Sequence, residues 1–199
     1  MASDKLKQMQ KVARQVEALS ESPLYAFRQE NQYKAVVGEG NLDAAVMFIG
    51  EAPGENEAEM GRPFVGASGR VLSEMLEQIG LERDDVYITN VVKDRPPNNR
   101  DPSPEEIALY TPFLLQQIEI IQPKVIATLG RFAMDFILLQ FNIPLGGGKI
   151  SELHGKPIAA QTEFGDVTVI PLYHPAVALY NRNQRKTLEE DFQVLRRHI

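Results

Sequence analysis

Four short apolar runs alternate with helical patterns along this sequence, and the alternation restricts the possible folds more than any other feature. The runs cover residues 44–49, 86–92, 124–129 and 167–172. Short apolar runs are typical of strands buried on both faces, and strands that alternate with helices favour a parallel sheet with right-handed crossovers. We therefore predict an α/β fold with three layers, α/β/α, around a central, mainly parallel four-stranded sheet.

The sequence predicts five helices, and one of them carries a clear start signal. Ser103, Pro104 and Glu106 form a capping signature for one helix, and residues 1–20 form an amphipathic helix that is expected to dock on the body of a single domain, 1–199. The predicted helices cover residues 3–19, 68–79, 104–121, 131–141 and 184–197. We expect irregular structure over 20–40 and a Gly-rich loop, with a short hairpin as the alternative, over 143–165. The tract Gly146-Gly147-Gly148-Lys149 lacks the spacing of a phosphate-binding loop.

Composition excludes several classes of function. The 199 residues include no cysteine, so disulfides, thiolate metal sites and a cysteine nucleophile are ruled out. No apolar stretch approaches the ~18 residues of a membrane span, and the N-terminus lacks the apolar region of a signal peptide, so we expect a cytoplasmic protein. A net charge of −6 argues against a dedicated nucleic-acid binder but is compatible with a local basic face.

A long segment between the first strand and its helix is the predicted centre of a site. Residues 50–69 exceed the usual strand-to-helix loop of about 2–6 residues, and long ordered loops are commonly functional. Glu51 lies at the sheet edge where parallel sheets bind ligands, either as a solvated carboxylate or as a base that orients water. Phe64, held between Pro63 and Val65, is either a core side chain or a stacking platform for a planar base.

Polar residues at the ends of other strands converge on the same edge. Asn90 lies within an apolar strand, so its amide is either a structural hydrogen-bonding group or a reader of a nucleobase edge. Lys93, Arg95 and Arg100 belong to a proline-rich loop that is either a solvated face or a phosphate-contacting surface. His174 precedes Pro175 at a strand end and is suited to stabilise a developing anion. No cluster has metal-ligand spacing.

Four ordered motifs give the sequence a family resemblance. They are GEAPG at 50–54, GRPFVG at 61–66, YITNVVK with the following RPP and NR from 87 to 100, and YHPA at 173–176. In this order they resemble the fourth family of uracil-DNA glycosylases, over about residues 38–197. Members of that family remove uracil from DNA by flipping the nucleotide out and cleaving its N-glycosidic bond.

The resemblance implies a role for each matched residue. Glu51 would activate or orient water, and His174 would stabilise charge on O2 of the departing uracil. The backbone at Ala52 would line the pocket, Glu57 would lie near the base C5 edge, and Phe64 would stack on the base. Asn90 would pair with N3–H and O4 of uracil. Leu179 would fill the vacated base stack, beside the DNA contacts expected of Lys93, Arg95 and Arg100.

The sequence departs from the family at its cofactor. Typical members hold a 4Fe–4S cluster with four cysteines, whereas the matching positions here include Leu19, Ser22 and a position near Tyr110. We predict no cluster and no other cofactor, with apolar packing around Leu19, Tyr25 and Tyr110 in its place. A related subgroup that traps its product covalently uses a His in an inserted loop, which this sequence lacks.

Two other functions stay open beside a uracil-DNA glycosylase. One is a catalytically silent nucleic-acid-binding module on the same fold, and the other is a glycosylase for a different deaminated base. For the first reading the expected partners are uracil-containing DNA and free uracil as product, with no membrane, and the expected state is a monomer.

Overall fold

A six-stranded sheet forms the centre of the protein in the computed structural model, which describes residues 2–144 and 148–199. The strands are β1 Glu39–Gly40, β2 Val46–Gly50, β3 Tyr87–Asn90, β4 Val125–Leu129, β5 Ile158–Thr162 and β6 Gly165–Leu172. Their spatial order is β1-β3-β2-β4-β6-β5, in which β3, β2, β4 and β6 are parallel and the two edge strands are antiparallel. The predicted parallel core is therefore confirmed.

The prediction of only four strands was too low. β1 has two residues, and β5 is exposed at alternate positions, so neither edge strand carries a continuous apolar run. β5 and β6 form a hairpin, which confirms the alternative considered for residues 143–165. Part of the Gly146-Gly147-Gly148-Lys149 tract lies outside the described residues.

Helices cover both faces of this sheet. They are α1 Ala2–Glu17, α2 Pro23–Glu30, α3 Glu55–Met60, α4 Ala67–Gln78, α5 Pro104–Ile121, α6 Arg131–Gln140, α7 Ile150–Leu153, α8 Val177–Tyr180 and α9 Arg182–Arg196. The predicted capping box starts α5, where Ser103 Oγ accepts from the Glu106 amide at 3.2 Å and the Glu106 carboxylate accepts from the Ser103 amide at 2.8 Å. Among the described helices, none is long and apolar enough to cross a membrane.

Three helices, α2, α3 and the four-residue α7, lie in segments predicted to be irregular or loops. α2 begins with Pro23 and is capped by Ser22, whose Oγ accepts from the Leu24 amide at 3.2 Å. α3 has only six residues, three of them glutamates, and follows the pair Pro53-Gly54, which is typical of a turn. All three helices are too short to show a clear helical period, which explains why the sequence pattern missed them.

The sheet separates two apolar layers. Met47 and Ile49 of β2 pack in one cluster with α1, α5 and α6, whereas Val46 and Phe48 pack in the other with α4 and α9. This alternation follows from the two-residue period of side chains along a strand. The carboxyl ends of β2, β3, β4 and β6 consequently lie at one edge, where the loops that follow them can meet.

Candidate active site

A cavity of about 390 Å³ opens at the carboxyl ends of the parallel strands. A volume of this order is typical of small-molecule sites. The cavity brings together all six residues predicted as catalytic or substrate-binding: Glu51, Ala52, Glu57, Phe64, Asn90 and His174. A cavity of about 450 Å³ between α1 and α5 is lined mainly by polar side chains from the helix surfaces and contains none of them.

Glu51 lies directly beyond β2 and is half-buried. Its main-chain carbonyl accepts from the Val92 amide at 3.0 Å, which fixes the backbone next to the end of β3. Burial raises the pKa of the Glu51 carboxyl, the charge of Asp101 raises it further, and Arg131 opposes the shift. A carboxyl group with a raised pKa at the wall of a cavity is suited to accept a proton.

Glu57 anchors the loop that presents Phe64. Its Oε1 atom accepts from the amides of Val65 at 2.9 Å and Gly66 at 2.8 Å. On the other side, the Arg83 guanidinium donates to the Pro63 carbonyl at 2.7 Å and to the Phe64 carbonyl at 3.1 Å. Glu57 therefore has a structural function in addition to its place in the cavity wall.

Phe64 has a backbone conformation that is rare for a bulky residue. Its φ angle is +51°, in the left-handed region, and such outliers persist only where surrounding contacts impose them. The hydrogen bonds to Glu57 and Arg83 supply that constraint. The ring is 6% exposed and its centroid lies 5.8 Å from that of His174, so its face is available to the cavity but not to bulk solvent.

Asn90 ends β3 and points its carboxamide toward this cavity. The residue is 1% exposed, and its Oδ1 atom has no hydrogen-bond partner within the protein. A Cβ atom at Gly50 would collide with Asn90 Oδ1 and would lie 2.7 Å from the Phe64 ring. The glycine at this position therefore permits the close approach of the two side chains.

The hydrogen bonding of His174 defines its tautomer. The Ala176 amide donates to His174 Nδ1 at 3.2 Å, so in the neutral ring the proton resides on Nε2. Burial lowers the pKa of His174 below its ordinary value, and the charge of Glu57 partly opposes this effect. His174 is consequently a neutral imidazole with one N–H donor at neutral pH.

The prediction that Lys93 contacts DNA was wrong. Its side chain is completely buried, and its Nζ donates to Thr89 Oγ1 at 2.7 Å, Asn90 O at 2.6 Å and Gln117 Oε1 at 2.6 Å. The sequence shows the charge of a lysine but not the direction of its side chain, which here folds back under the strand end.

Of the other predicted DNA contacts, Arg100 and Leu179 are exposed, whereas the Arg95 side chain is only 10% exposed, and both arginines already have partners. Arg95 donates to Tyr33 Oη at 2.7 Å and to Glu55 at 3.1 Å, and the exposed Arg100 pairs with Glu106 at 2.6 Å. Leu179 lies on α8 and is 40% exposed. Arg100 also lines the cavity, whereas Arg95 and Leu179 do not.

Several cavity residues were missed by the sequence analysis. One of them is Asn99, which lies in a turn where Asn98 and Asn99 both have positive φ angles. Asparagine tolerates this conformation. The pair Asn98-Asn99 in the proline-rich loop is the sequence signal for this turn. The other additional lining residues are Pro53, Gly54, Ser68, Pro96 and Ala176.

A buried polar network occupies the region where the resemblance places cluster cysteines. Tyr110 Oη is 3.0 Å from Ser22 Oγ and donates to Asp94 Oδ2 at 2.6 Å, while Arg28 pairs with Asp94 at 3.0 Å. Leu19 packs on the core and the Arg28 guanidinium lies over the Tyr25 ring, so the predicted apolar contact is only part of this junction. A 4Fe–4S cluster needs thiolates, and these oxygen and guanidinium groups do not fit one.

The described residues also lack a metal site that could be built without thiolates. Across 2–144 and 148–199, no group of three or more His, Asp or Glu side chains is placed to hold a metal ion.

The chain belongs to the uracil DNA glycosylase superfamily, whose family model matches residues 37–196. Within this superfamily it is similar to type-4 enzymes. The type-4 uracil-DNA glycosylase of Sulfurisphaera tokodaii is 48% identical over 189 residues, which cover 94% of this chain and 83% of that protein. The type-4 uracil-DNA glycosylase of Thermotoga maritima is 45% identical over 189 residues, covering 93% and 91%. That of Archaeoglobus fulgidus is 49% identical over 158 residues, covering 79% and 78%.

Proposed function

We propose that this protein is a uracil-DNA glycosylase that hydrolyses the N-glycosidic bond of uracil in DNA, releasing free uracil and leaving an abasic site. The observation that carries the proposal is the single cavity that joins Glu51, Phe64, Asn90 and His174. Because such a cavity lies beyond the strand ends, the target nucleotide has to leave the base stack to reach it.

The base is held by one stacking surface and one amide. The Phe64 ring stacks on uracil, and the Asn90 carboxamide accepts from N3–H and donates to O4. Its Oδ1 atom is buried without a partner, and an unsatisfied buried acceptor costs about 1–3 kcal/mol. Pairing with N3–H removes that cost. Cytosine has no hydrogen on N3 and presents a donor at C4, so it cannot satisfy the amide in this orientation.

Bond cleavage develops charge of opposite sign on the two fragments. The departing uracil becomes anionic, and the Nε2–H of His174 donates to its O2 atom; a preorganised donor of this kind contributes about 3–4 kcal/mol. The sugar becomes oxocarbenium-like and is attacked by water. Glu51 orients this water and accepts its proton, which the raised pKa of the carboxyl favours.

We further propose that the enzyme works without a 4Fe–4S cluster. Support comes from the absence of cysteine in the sequence and from the hydrogen-bonded Ser22–Tyr110–Asp94–Arg28 network at the matching positions. Arg95, Arg100 and Leu179 are proposed to contact the DNA around the flipped nucleotide. The monomeric state and the cytoplasmic location remain predictions.

A strand-scission assay tests the function. The purified protein is incubated with oligonucleotides that carry uracil, thymine, cytosine or hypoxanthine at one position, in single and double strands, and is then treated with alkali. We expect cleavage at uracil alone. Cleavage at hypoxanthine would favour the alternative deaminated base. DNA binding without cleavage by a folded protein would favour the silent binding module and would contradict the proposal.

A further inference from the structure

Lys93 is the most completely enclosed cation of the described chain, and it has no acidic partner there. Its Nζ lies 2.6–2.7 Å from three oxygens: the Thr89 hydroxyl, the Asn90 main-chain carbonyl and the Gln117 amide oxygen. An ammonium has three N–H donors and no acceptor, so three oxygens satisfy it fully. Burial holds the pKa of Lys93 well below its ordinary value, which makes this enclosure costly. A costly arrangement next to a site residue calls for an explanation.

The same ammonium ties the end of β3 to helix α5. Gln117, on α5, accepts from Lys93 through Oε1 and donates through Nε2 to Val37 O at 2.9 Å and Tyr87 Oη at 3.0 Å. The Thr89 hydroxyl donates to Val37 O at 2.7 Å. Lys93 therefore connects the strand end to a layer of hydrogen bonds that also includes Val37 and Tyr87.

Asn90 depends on this layer because its own side chain lacks an anchor at Oδ1. Beyond Asn90 the pairing with β2 continues through the amides of Val91 and Val92, which donate to Gly50 O at 2.9 Å and to Glu51 O at 3.0 Å. The Asn90 carbonyl points the other way and is held by Lys93. A rotation of this peptide unit would swing the carboxamide within the cavity.

We propose that Lys93 is a positioning residue for base recognition: by holding the Asn90 carbonyl against α5, it sets the direction of the Asn90 carboxamide toward the uracil edge. This inference rests on the proposed function. A lysine that merely stabilised the fold would affect folding and activity independently of Asn90, and this difference makes the two roles separable.

A double-mutant cycle tests the dependence on Asn90. Uracil release is measured in single turnover for Lys93→Met, Asn90→Ala and the double variant. We expect Lys93→Met to lower the rate about ten- to a hundred-fold, the scale of a small misplacement of a reacting group. In the Asn90→Ala background it should have no further effect. Equal losses in both backgrounds would overturn the proposal. Lys156→Met, an exposed lysine, is the matched control and should keep the wild-type rate.

The absence of cysteine permits a chemical rescue. Lys93→Cys creates a unique thiol, which can be alkylated in the unfolded chain with 2-bromoethylamine, restoring an amine at nearly the length of lysine. Alkylation with 1-iodopropane gives the same stem with a methyl group instead. After refolding, we expect the amine product to recover the rate and the propyl product not to recover it. Equal rates for the two products would overturn the proposal.

A measurement without DNA separates this inference from the proposed function. The Asn90 side-chain amide signals are recorded by ¹H–¹⁵N NMR, with assignment from their loss in Asn90→Ala. We expect them to shift in Lys93→Met and to return in the aminoethylated protein. If the wild type fails to release uracil, the proposed function fails but this test still applies. Unchanged Asn90 signals in a folded Lys93→Met protein would overturn the positioning role.

A milder variant covers the case in which Lys93→Met does not fold. Thr89→Val keeps the side-chain shape and removes one of the three oxygens around Nζ. We expect Thr89→Val to shift the Asn90 amide signals less than Lys93→Met does and to lower the rate a few-fold. In the Asn90→Ala background, Thr89→Val should not change the rate further. Wild-type signals and a wild-type rate in Thr89→Val would contradict the proposal.

Discussion

Burial moves the pKa values of Glu51 and His174 in opposite directions, and both shifts suit the proposed chemistry. The pKa of Glu51 is raised and that of His174 is lowered, in each case chiefly by desolvation of the charged form. At neutral pH the first can accept a proton and the second is a neutral donor. Because catalysis needs ionised Glu51, the rate should fall as the pH drops through its raised pKa.

We predict that Glu51→Gln removes this acid limb. Loss of a positioned base should lower the single-turnover rate about 10²–10⁴-fold, and the remaining rate should not depend on pH in the acidic range. Since desolvation makes ionised Glu51 unfavourable for folding above its folded-state pKa, the variant should be at least as stable as wild type at pH 7. Rate–pH profiles and thermal unfolding measure both effects, and an acid limb that persists in the variant would contradict the assignment.

Replacement of His174 tests the anion-stabilising donor. His174→Ala should lower the single-turnover rate by about 10²–10³-fold with the fold retained, because one preorganised donor is removed. His198→Ala is the matched control, since this terminal, exposed histidine lies outside the cavity. A wild-type rate in His174→Ala would refute the role.

At the scale of elements, the Ser22–Tyr110–Asp94–Arg28 network joins α2 and α5 to the loop after β3. Its members are buried, and Arg28 also donates to the Val16 carbonyl at 3.4 Å and the Glu17 carbonyl at 2.5 Å, at the end of α1. Buried polar groups stabilise only when each has partners, and removal of one partner leaves the others unsatisfied. The junction should therefore respond strongly to single substitutions.

Tyr110→Phe should lower the free energy of unfolding by about 1–3 kcal/mol, because Asp94 loses a buried hydrogen bond. Arg28→Met should cost more, about 3–5 kcal/mol, because it leaves a buried carboxylate without its counter-ion. Denaturant unfolding measures both values. Tyr180→Phe makes the same chemical change at a side chain that is 90% exposed and should have no effect. Equal stabilities of the two Phe variants would show that the network is not a structural junction.

At the scale of the whole molecule, stability should not depend on a metal. With no cysteine in the sequence, we expect no iron in a colorimetric assay and no visible absorbance from an iron–sulfur cluster. Removal of a ligand that binds only the folded state lowers the Tm. Because we expect no bound iron, prolonged treatment with an iron chelator should leave the Tm unchanged. A fall in Tm, or bound iron that purifies with the protein, would contradict this prediction.

The alternation of four parallel strands with helices, the capping of α5 and the edge at which the site lies followed from the sequence alone. Each depends on local pattern: apolar runs, the Ser103–Glu106 capping box and the rule that parallel strands end together. The glutamate, phenylalanine, asparagine and histidine of the cavity were found because the four motifs are contiguous and ordered.

The tertiary structure decided what contacts across the chain determine. Glu57 is both a wall of the cavity and the acceptor that fixes the Phe64 loop, and Lys93 is completely buried although Arg100 in the same loop is exposed. The residues in place of the cluster cysteines form a polar network, which requires partners up to 88 positions apart. Local sequence carries charge and size, but burial and pairing are set by distant segments, so only the fold assigns these residues their functions.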